Sequence, residues 1–504
     1  MRTKRSILNL STALIGQFFG LIISFISRII FIKYLNESYL GLNGLFTNIL
    51  TMLSLVELGV GSAMTFSLYK PLAFDDKEKI KSLMVLYKKA YNIIGIAILL
   101  IGICFLPFYH LFLKEDVSIP NLNAIYLLFV LNTGISYFYS YKRSLIICDQ
   151  KKYITTIYRY VFYFILNVFQ IGILVIYKNY ILYLICQVIF TWLENIFISM
   201  RADKMYPYLK DKNVKNLSKE EIKDIKKNVY AMSIHKIGSV VVNSTDNILI
   251  SKLVGIVEVG IYSNYFLVTN ALETITNQFF NAIVASVGNL GATTSKDKLK
   301  DNFNEVFFIN YIIFGVCSIC FGILINNFIK LWLGEKYIFD INIVLVLTIC
   351  FYLKGMRRSV LTFRDALGLF WHDRYKALVE TLINLVASIL LGIKFGVFGI
   401  FLGTIVSTLA TSMWVEPFIL YKYGFTSKVS VYFKKLTMYT MNVIIDFTIL
   451  YKISNLISYN NMFDFIVKSA IIFTISIVLV ILPFCKTKEF KYLTELPSKL
   501  KKRA

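Results

Sequence analysis

The basic opening Met1-Arg-Thr-Lys-Arg5 runs into Leu8-Asn-Leu-Ser-Thr-Ala-Leu-Ile-Gly-Gln-Phe-Phe-Gly-Leu-Ile-Ile-Ser-Phe-Ile-Ser-Arg28-Ile-Ile-Phe-Ile-Lys-Tyr34. A helix needs roughly 20 predominantly apolar residues to cross the hydrocarbon core of a bilayer. A secretory leader has a shorter apolar region, roughly 7–15 residues, closed by a small-residue cleavage site. Here the apolar run continues to Tyr34 without such a site, so it reads as an uncleaved first span with its basic end inside.

Working outward, about 14 stretches of this kind follow one another to Phe484, at about 8–34, 40–69, 85–109, 122–147, 154–177, 180–201, 229–252, 259–291, 303–326, 341–363, 375–394, 397–421, 433–452 and 463–485. Threaded back and forth from an inside N-terminus, 42 of the 54 Lys and Arg residues fall on the inside set of connections and their flanks, and 8 on the outside set. Arg28, Arg159, Lys236 and Lys468 lie within spans. This asymmetry is what the positive-inside rule predicts. The expected class is all-α: a polytopic, multi-pass protein of the inner or plasma membrane, with both termini cytoplasmic.

Composition agrees. The chain is 57% hydrophobic and 17% charged, against about 25% charged residues in soluble proteins. A net charge of +24 would suggest a nucleic-acid partner in a soluble chain. Here the excess sits on connections that face anionic headgroups, so membrane lipids are the expected partner and nucleic acid is not. Cys317-Ser-Ile-Cys320 has the spacing of a zinc half-site, but no second Cys or His pair accompanies it. No metal is expected.

The outer connections are too short for a domain. The largest soluble segment, 202–228, lies on the inside and carries the capping box Ser218-Lys-Glu-Glu221, with Leu217 and Ile222 placed for a hydrophobic staple. The expected organisation is a six-helix lobe over 1–201, a cytoplasmic linker with a short basic helix over 202–228, and a second six-helix lobe over 229–425. Two extra spans over 426–485 and a basic tail over 486–504 complete it. An internal repeat supports the division. Arg28-Ile-Ile-Phe-Ile-Lys-Tyr-Leu35 aligns with Asp246-Asn-Ile-Leu-Ile-Ser-Lys-Leu253, and Lys142-Arg-Ser-Leu145 with Arg357-Arg-Ser-Val360. Each half has an even number of spans, so the lobes are expected to be related by a pseudo-two-fold axis along the membrane normal.

His235-Lys-Ile-Gly-Ser-Val-Val-Val-Asn-Ser-Thr-Asp-Asn-Ile-Leu-Ile-Ser-Lys252 resembles the seventh-span motif of bacterial polysaccharide flippases. Phe363-Arg-Asp-Ala-Leu-Gly-Leu-Phe-Trp-His-Asp-Arg-Tyr-Lys376, Ser27-Arg-Ile-Ile-Phe31 and Leu55-Val-Glu-Leu-Gly-Val-Gly-Ser62 fit the same family. Its superfamily also holds the MATE drug exporters and the lipid II flippases. The resemblance spans essentially the whole chain. It implies a two-lobed helical transporter that moves an undecaprenyl-diphosphate-linked oligosaccharide between leaflets, for capsule, exopolysaccharide or O-antigen. Other polysaccharide-assembly proteins are then partners. It implies no enzyme and no cofactor beyond coupling to H+ or Na+.

Ionisable groups within spans cost at least about 2.5–3.5 kcal/mol each on insertion scales, so they face a wet cavity or a partner. Arg28, Glu57, Asp246 and Glu273 lie near mid-depth. Arg28 suits the diphosphate, because guanidinium stays charged when desolvated and grips phosphate oxygens as a fork. The competing reading is an Arg28–Asp246 ion pair that locks the lobes. Asn243, Asn247 and Arg159 join Arg28 and Asp246 as substrate-cavity candidates; helix–helix hydrogen bonding and snorkelling are the structural alternatives. Glu57 and Glu273 are candidates for ion coupling, or for pairing with a neighbouring helix. Arg364, Asp365, Asp373 and Arg374 are expected at an inner gate or structural ion-pair cluster. Three other functions remain open: a cation-coupled drug exporter or lipid II flippase of the same fold; a membrane polymerase or glycosyltransferase, against which the short outer loops argue; and a non-transporting scaffold.

Overall fold

A computed structural model describes residues 2–57, 59–114, 119–211, 213–369, 372 and 375–501. The described chain is helical: α1 (Arg2–Tyr34), α2 (Glu37–Leu53), α3 (Val60–Ala73), α4 (Lys77–Cys104), α5 (Leu122–Tyr137), α6 (Ser140–Cys148), α7 (Lys152–Tyr177), α8 (Tyr180–Met205), α9 (Lys219–Leu253), α10 (Ile256–Thr293), α11 (Lys296–Leu333), α12 (Ile341–Met356), α13 (Arg358–Ala366), α14 (Lys376–Ala410), α15 (Ser412–Ile419), α16 (Ser430–Leu456), α17 (Met462–Ile481) and α18 (Lys488–Lys501). Short polar caps start several of them. Asn36, Asp76, Asn179 and Asn461 each accept a backbone N–H of the first turn, one of the donors a helix start leaves unpaired.

The pattern of exposure is that of a protein in lipid. On α1, Ile15, Phe18, Phe19, Ile22, Ile26 and Ile29 are exposed and recur every three or four residues, forming one apolar stripe. The opposite side carries Gly16, Gly20, Ser24 and Ser27 and packs on α7. A Cβ on Gly16 would overlap the Tyr160 ring, and one on Gly20 would lie 2.9 Å from it. Small residues let two helices approach closely in a membrane, where apolar side chains gain nothing by leaving lipid. Among the described residues, eight helices are long and apolar enough to cross a membrane by themselves, or nine if the bent pair α5 and α6 forms one span.

Several stretches that read as single spans are broken. Between α2 and α3 the chain passes through a 3-10 turn at Ser54–Glu57 and a left-handed Gly59 with φ 72°. Helices α5 and α6 meet at a 45° bend. Their counterparts in the second half, α12 and α13, have the same lengths, 16 and 9 residues. The strings Lys142-Arg-Ser-Leu145 and Arg357-Arg-Ser-Val360 both lie at this second break. In α14 the two expected spans form one hairpin, turned at Gly396 with φ 59° and ψ −138°, a conformation that needs glycine.

The chain divides into two compact units, Met1–Gly260 and Ile261–Ala504. In the first, α9 packs on α2 and α3, and a Cβ on Gly41 would strike the Ile256 carbonyl. The segment between α8 and α9 is strapped to the start of α4. Lys81 pairs with Asp211 at 2.9 Å, the Ser82 hydroxyl donates to the Lys215 carbonyl at 2.6 Å, and Lys79 pairs with Glu221. The capping box at Ser218 is formed, with Glu221 N–H donating to Ser218 at 3.2 Å and Ser218 N–H donating to Glu221 at 2.9 Å. In the second unit α11 is the central helix, with 72% of its apolar window buried against 11% for α1. It packs on α12, α16 and α17, against α16 through a ladder of rings that includes Phe303, Phe307, Tyr311, Tyr432 and Tyr439.

Candidate functional site

In the first unit, Arg28 lies on the packed side of α1, within electrostatic reach of the Tyr163 and Tyr183 phenols. Beside it Ser27 donates to Asn167 Oδ1 at 2.6 Å, the Ser24 and Tyr163 hydroxyls are 2.7 Å apart, and Gln170 donates to the Tyr183 carbonyl at 3.2 Å. Arg159, Tyr163, Asn167 and Gln170 follow one another at helical spacing, so they form a single polar stripe along α7. Arg28 and Arg159 therefore belong to one seam. Arg159 is exposed and near Arg143, while Arg28 is half-buried. The spacing of 159, 163, 167 and 170 was present in the sequence; what the sequence did not show is that α1 packs on α7. Chemically the seam combines the guanidiniums of Arg28 and Arg159 with hydroxyl and amide groups, a set that binds phosphate oxygens and sugar hydroxyls.

Glu57 sits at the break between α2 and α3. The Tyr91 hydroxyl donates to Glu57 Oε1 at 2.9 Å, and the Tyr137 hydroxyl lies beside both Glu57 and Ser54. The Tyr87 hydroxyl extends the network to Ser144 at 3.1 Å and Tyr91 at 3.3 Å. Two broken helices thus meet around one carboxylate: α2/α3 supplies Glu57, and α5/α6 supplies Tyr137 and Ser144. Gly61 makes this approach fit, since a Cβ there would lie 2.5 Å from Glu57 Oε1 and would also strike the Tyr91 hydroxyl. Gly61→Ala is expected to separate Tyr91 from Glu57 and to destabilise the first unit by about 1.5–3 kcal/mol, the worth of a hydrogen bond to a charged group. Thermal unfolding of the purified protein checks it; unfolding as in the wild type would show that the network tolerates the displacement.

Asp246 and Asn247 lie on α9 in the first unit. The Asn247 amide nitrogen is 3.5 Å from where a Gly44 Cβ would stand, and its Oδ1 is buried without a hydrogen-bond partner. The side chain of Asn243 lies outside the described residues, as do Asp373 and Arg374.

In the second unit Glu273 pairs with Lys354 at 2.8 Å. The larger feature is an ionic cluster at the start of α13. Arg357 donates two hydrogen bonds to Glu416, Nε to Oε2 at 3.0 Å and Nη2 to Oε1 at 2.7 Å, and one to Glu380 at 3.5 Å. Lys376 also pairs with Glu416, the Ser412 hydroxyl donates to Glu380 at 2.6 Å, and Arg364 lies 4.0 Å from Glu416 while binding Asp365 at 2.7 Å. Glu416 is fully buried. Arg364 and Asp365 thus join an ion-pair cluster centred on Glu416. Its partners Arg357, Arg364 and Lys376 come from α13 with its cap and from the start of α14, a convergence that no local motif records.

The first unit repeats the arrangement in a wetter form. Lys142, the equivalent of Arg357, binds Asp203 at 2.7 Å, and Arg143 binds Glu194 at 2.7 Å and Asn195 at 2.9 Å. The pairings Lys142–Asp203 and Arg357–Glu416 join residues 61 and 59 apart, so the internal repeat extends to the ion pairs.

No protein-family model matches the sequence, and no curated protein does. Solved structures do match its fold. The lipid II flippase MurJ in an inward closed conformation aligns with a TM-score of 0.67 at 14% identity, over 94% of this chain and 99% of that one. An inward-facing multidrug resistance MATE family transporter of the MOP superfamily aligns with a TM-score of 0.61 at 14% identity, over 82% of this chain and 98% of its own. A variant of the Vibrio cholerae MATE transporter VcmN gives 0.57 at 11% identity, over 85% and 99%. The chain has the polytopic helical fold that these transporters share.

Proposed function

We propose that this protein is a flippase for an undecaprenyl-diphosphate-linked oligosaccharide in the cytoplasmic membrane, serving cell-surface polysaccharide synthesis, with both termini in the cytoplasm. The observation that carries the reading is the seam of Arg28 with Tyr163, Asn167 and Tyr183: a guanidinium on a membrane-spanning helix, beside hydroxyl and amide groups. Such a set suits a diphosphate joined to a sugar. The strings around Asp246 and Arg364 support the same family. Transport follows by alternating access, with the prenyl tail left in lipid and Glu57 and Glu273 as ion-coupling groups for H+ or Na+. The test is the lipid-linked saccharide pool of a strain lacking the protein. Accumulation of an undecaprenyl-diphosphate oligosaccharide, cleared by the wild-type gene, supports the reading; an unchanged pool in a strain with no redundant transporter rejects it.

A second reading is favoured by the coverage of the MurJ alignment, which takes in 94% of this chain against 82–85% for the MATE structures. In it the cargo is lipid II. The same experiment separates the two by which lipid-linked intermediate accumulates.

A further inference from the structure

Helices α16 and α17 are joined by the short turn 457–461 and pack on each other and on α11. Each buries one ionisable residue on its packed face. Asp446, between Val443 and Leu450 in the buried stripe of α16, is 4% exposed. Lys468, between Phe465 and Ile472 in the buried stripe of α17, is 3% exposed. Among the described residues, neither is paired with an opposite charge. Asp446 Oδ2 accepts from the Asn442 amide at 2.6 Å, and the same amide donates to the Tyr311 hydroxyl at 3.0 Å. Lys468 points the other way, to the turn. It donates to the Ile457 carbonyl at 3.0 Å, and its ammonium stands over the Tyr459 ring at 4.9 Å. Asp464, one turn before Lys468, accepts the Asn460 N–H at 3.0 Å instead. A charge buried without a counter-charge is costly, above all within a membrane span, and this hairpin holds one of each sign.

Helix α11 gives the distance between them. Tyr432 stacks on Phe307, and Phe447 lies at Gly322, where a Cβ would be 2.7 Å from its ring. So α16 runs alongside α11 in constant register. Helix α17 runs the opposite way, with Phe465 at Phe328 and Ser476 at Cys320. On that scale Asp446 and Lys468 are offset along the hairpin by about four to five residues, or about 6–7 Å. A flexible four-carbon stem covers such an offset.

We propose that Lys468 is a two-position switch: it leaves the Ile457 carbonyl, extends inward along the packed face and pairs with Asp446. In the position seen here the lysine fastens the end of α16 to α17. In the other it ties the two helices at mid-length and frees the turn. The pair supplies the counter-charge that each residue lacks, and the carbonyl and the Tyr459 ring hold the lysine against it. The switch belongs to this hairpin alone and does not depend on the transport reading.

The test uses the full-length protein in detergent. Lys468→Met is expected to lower the unfolding temperature, and to lower it less in an Asp446→Asn background, by about 2–4 °C, the shift a modest pair energy gives in a unit of this size. Equal losses in the two backgrounds mean that the lysine never reaches Asp446, and they overturn the proposal. Hydrogen exchange gives a second readout that needs only Asp446→Asn. Removing the inward partner should keep Lys468 on Ile457 and slow amide exchange over 457–461, about 16 Å along α16 from the substitution. A merely local role for Asp446 would not act at that distance, so exchange at the turn as in the wild type also overturns the proposal.

Discussion

Glu416→Gln is expected to destabilise the second unit by about 3–5 kcal/mol, the usual consequence of removing one partner of a buried ion pair. Glu416 is fully buried and accepts two hydrogen bonds from Arg357 and another from Lys376, with Arg364 at 4.0 Å. Among the described residues, neutralising it leaves these cations with Glu380 as the remaining buried carboxylate. Desolvated positive charge without compensation is the expensive outcome, more so than the loss of the hydrogen bonds themselves. Lys142→Ala in the first unit is the internal control. Lys142 and Asp203 form an equivalent pair, but their side chains are 14% and 26% exposed, so water takes over part of the interaction and about 1 kcal/mol is expected. Thermal unfolding of the two variants at equal detergent concentration compares them. Equal losses would mean that the second cluster is no drier in effect than the first, and that Glu416 only orders the loop.

In the proposed flippase, Arg28→Ala is expected to slow clearance of the lipid-linked saccharide roughly 10- to 100-fold at equal expression. That factor corresponds to about 1.5–3 kcal/mol for hydrogen bonds to a charged group. Arg28→Lys should fall between, because an ammonium keeps the charge but not the planar fork. Ser27→Ala separates transport from packing: it removes the 2.6 Å hydrogen bond to Asn167 from the same turn of α1 without touching the cation. If Ser27→Ala and Arg28→Ala impair clearance equally, the seam acts by holding α1 on α7, and the phosphate role of Arg28 is lost. If Arg28→Ala clears as the wild type does, the diphosphate is held elsewhere and Arg28 is a structural group.

Much of this protein was legible because a membrane imposes a pattern on the chain itself. Apolar length, the one-sided distribution of Lys and Arg, and the repeat of Lys142-Arg-Ser-Leu145 in Arg357-Arg-Ser-Val360 are properties of local sequence. So is the capping box at Ser218, where both partners lie within one turn. Helix breaks were less visible. The turn at Ser54–Glu57 and the bend between α5 and α6 occur within apolar runs, and hydropathy does not distinguish a continuous helix from one whose backbone is satisfied by neighbours.

The sequence by itself determined the class of the protein, an all-helical chain of apolar spans, because each span must satisfy its own backbone hydrogen bonds in lipid. It also marked the ionisable residues that need a partner, since their insertion penalty is local. Which partner each one takes was decided only by the tertiary structure. Glu57 found tyrosines, Glu273 found Lys354, and Glu416 gathered cations from separate helices. Those outcomes depend on where helices far apart in sequence cross, and Coulomb and hydrogen-bond energies are set at separations of a few ångströms that no linear spacing encodes.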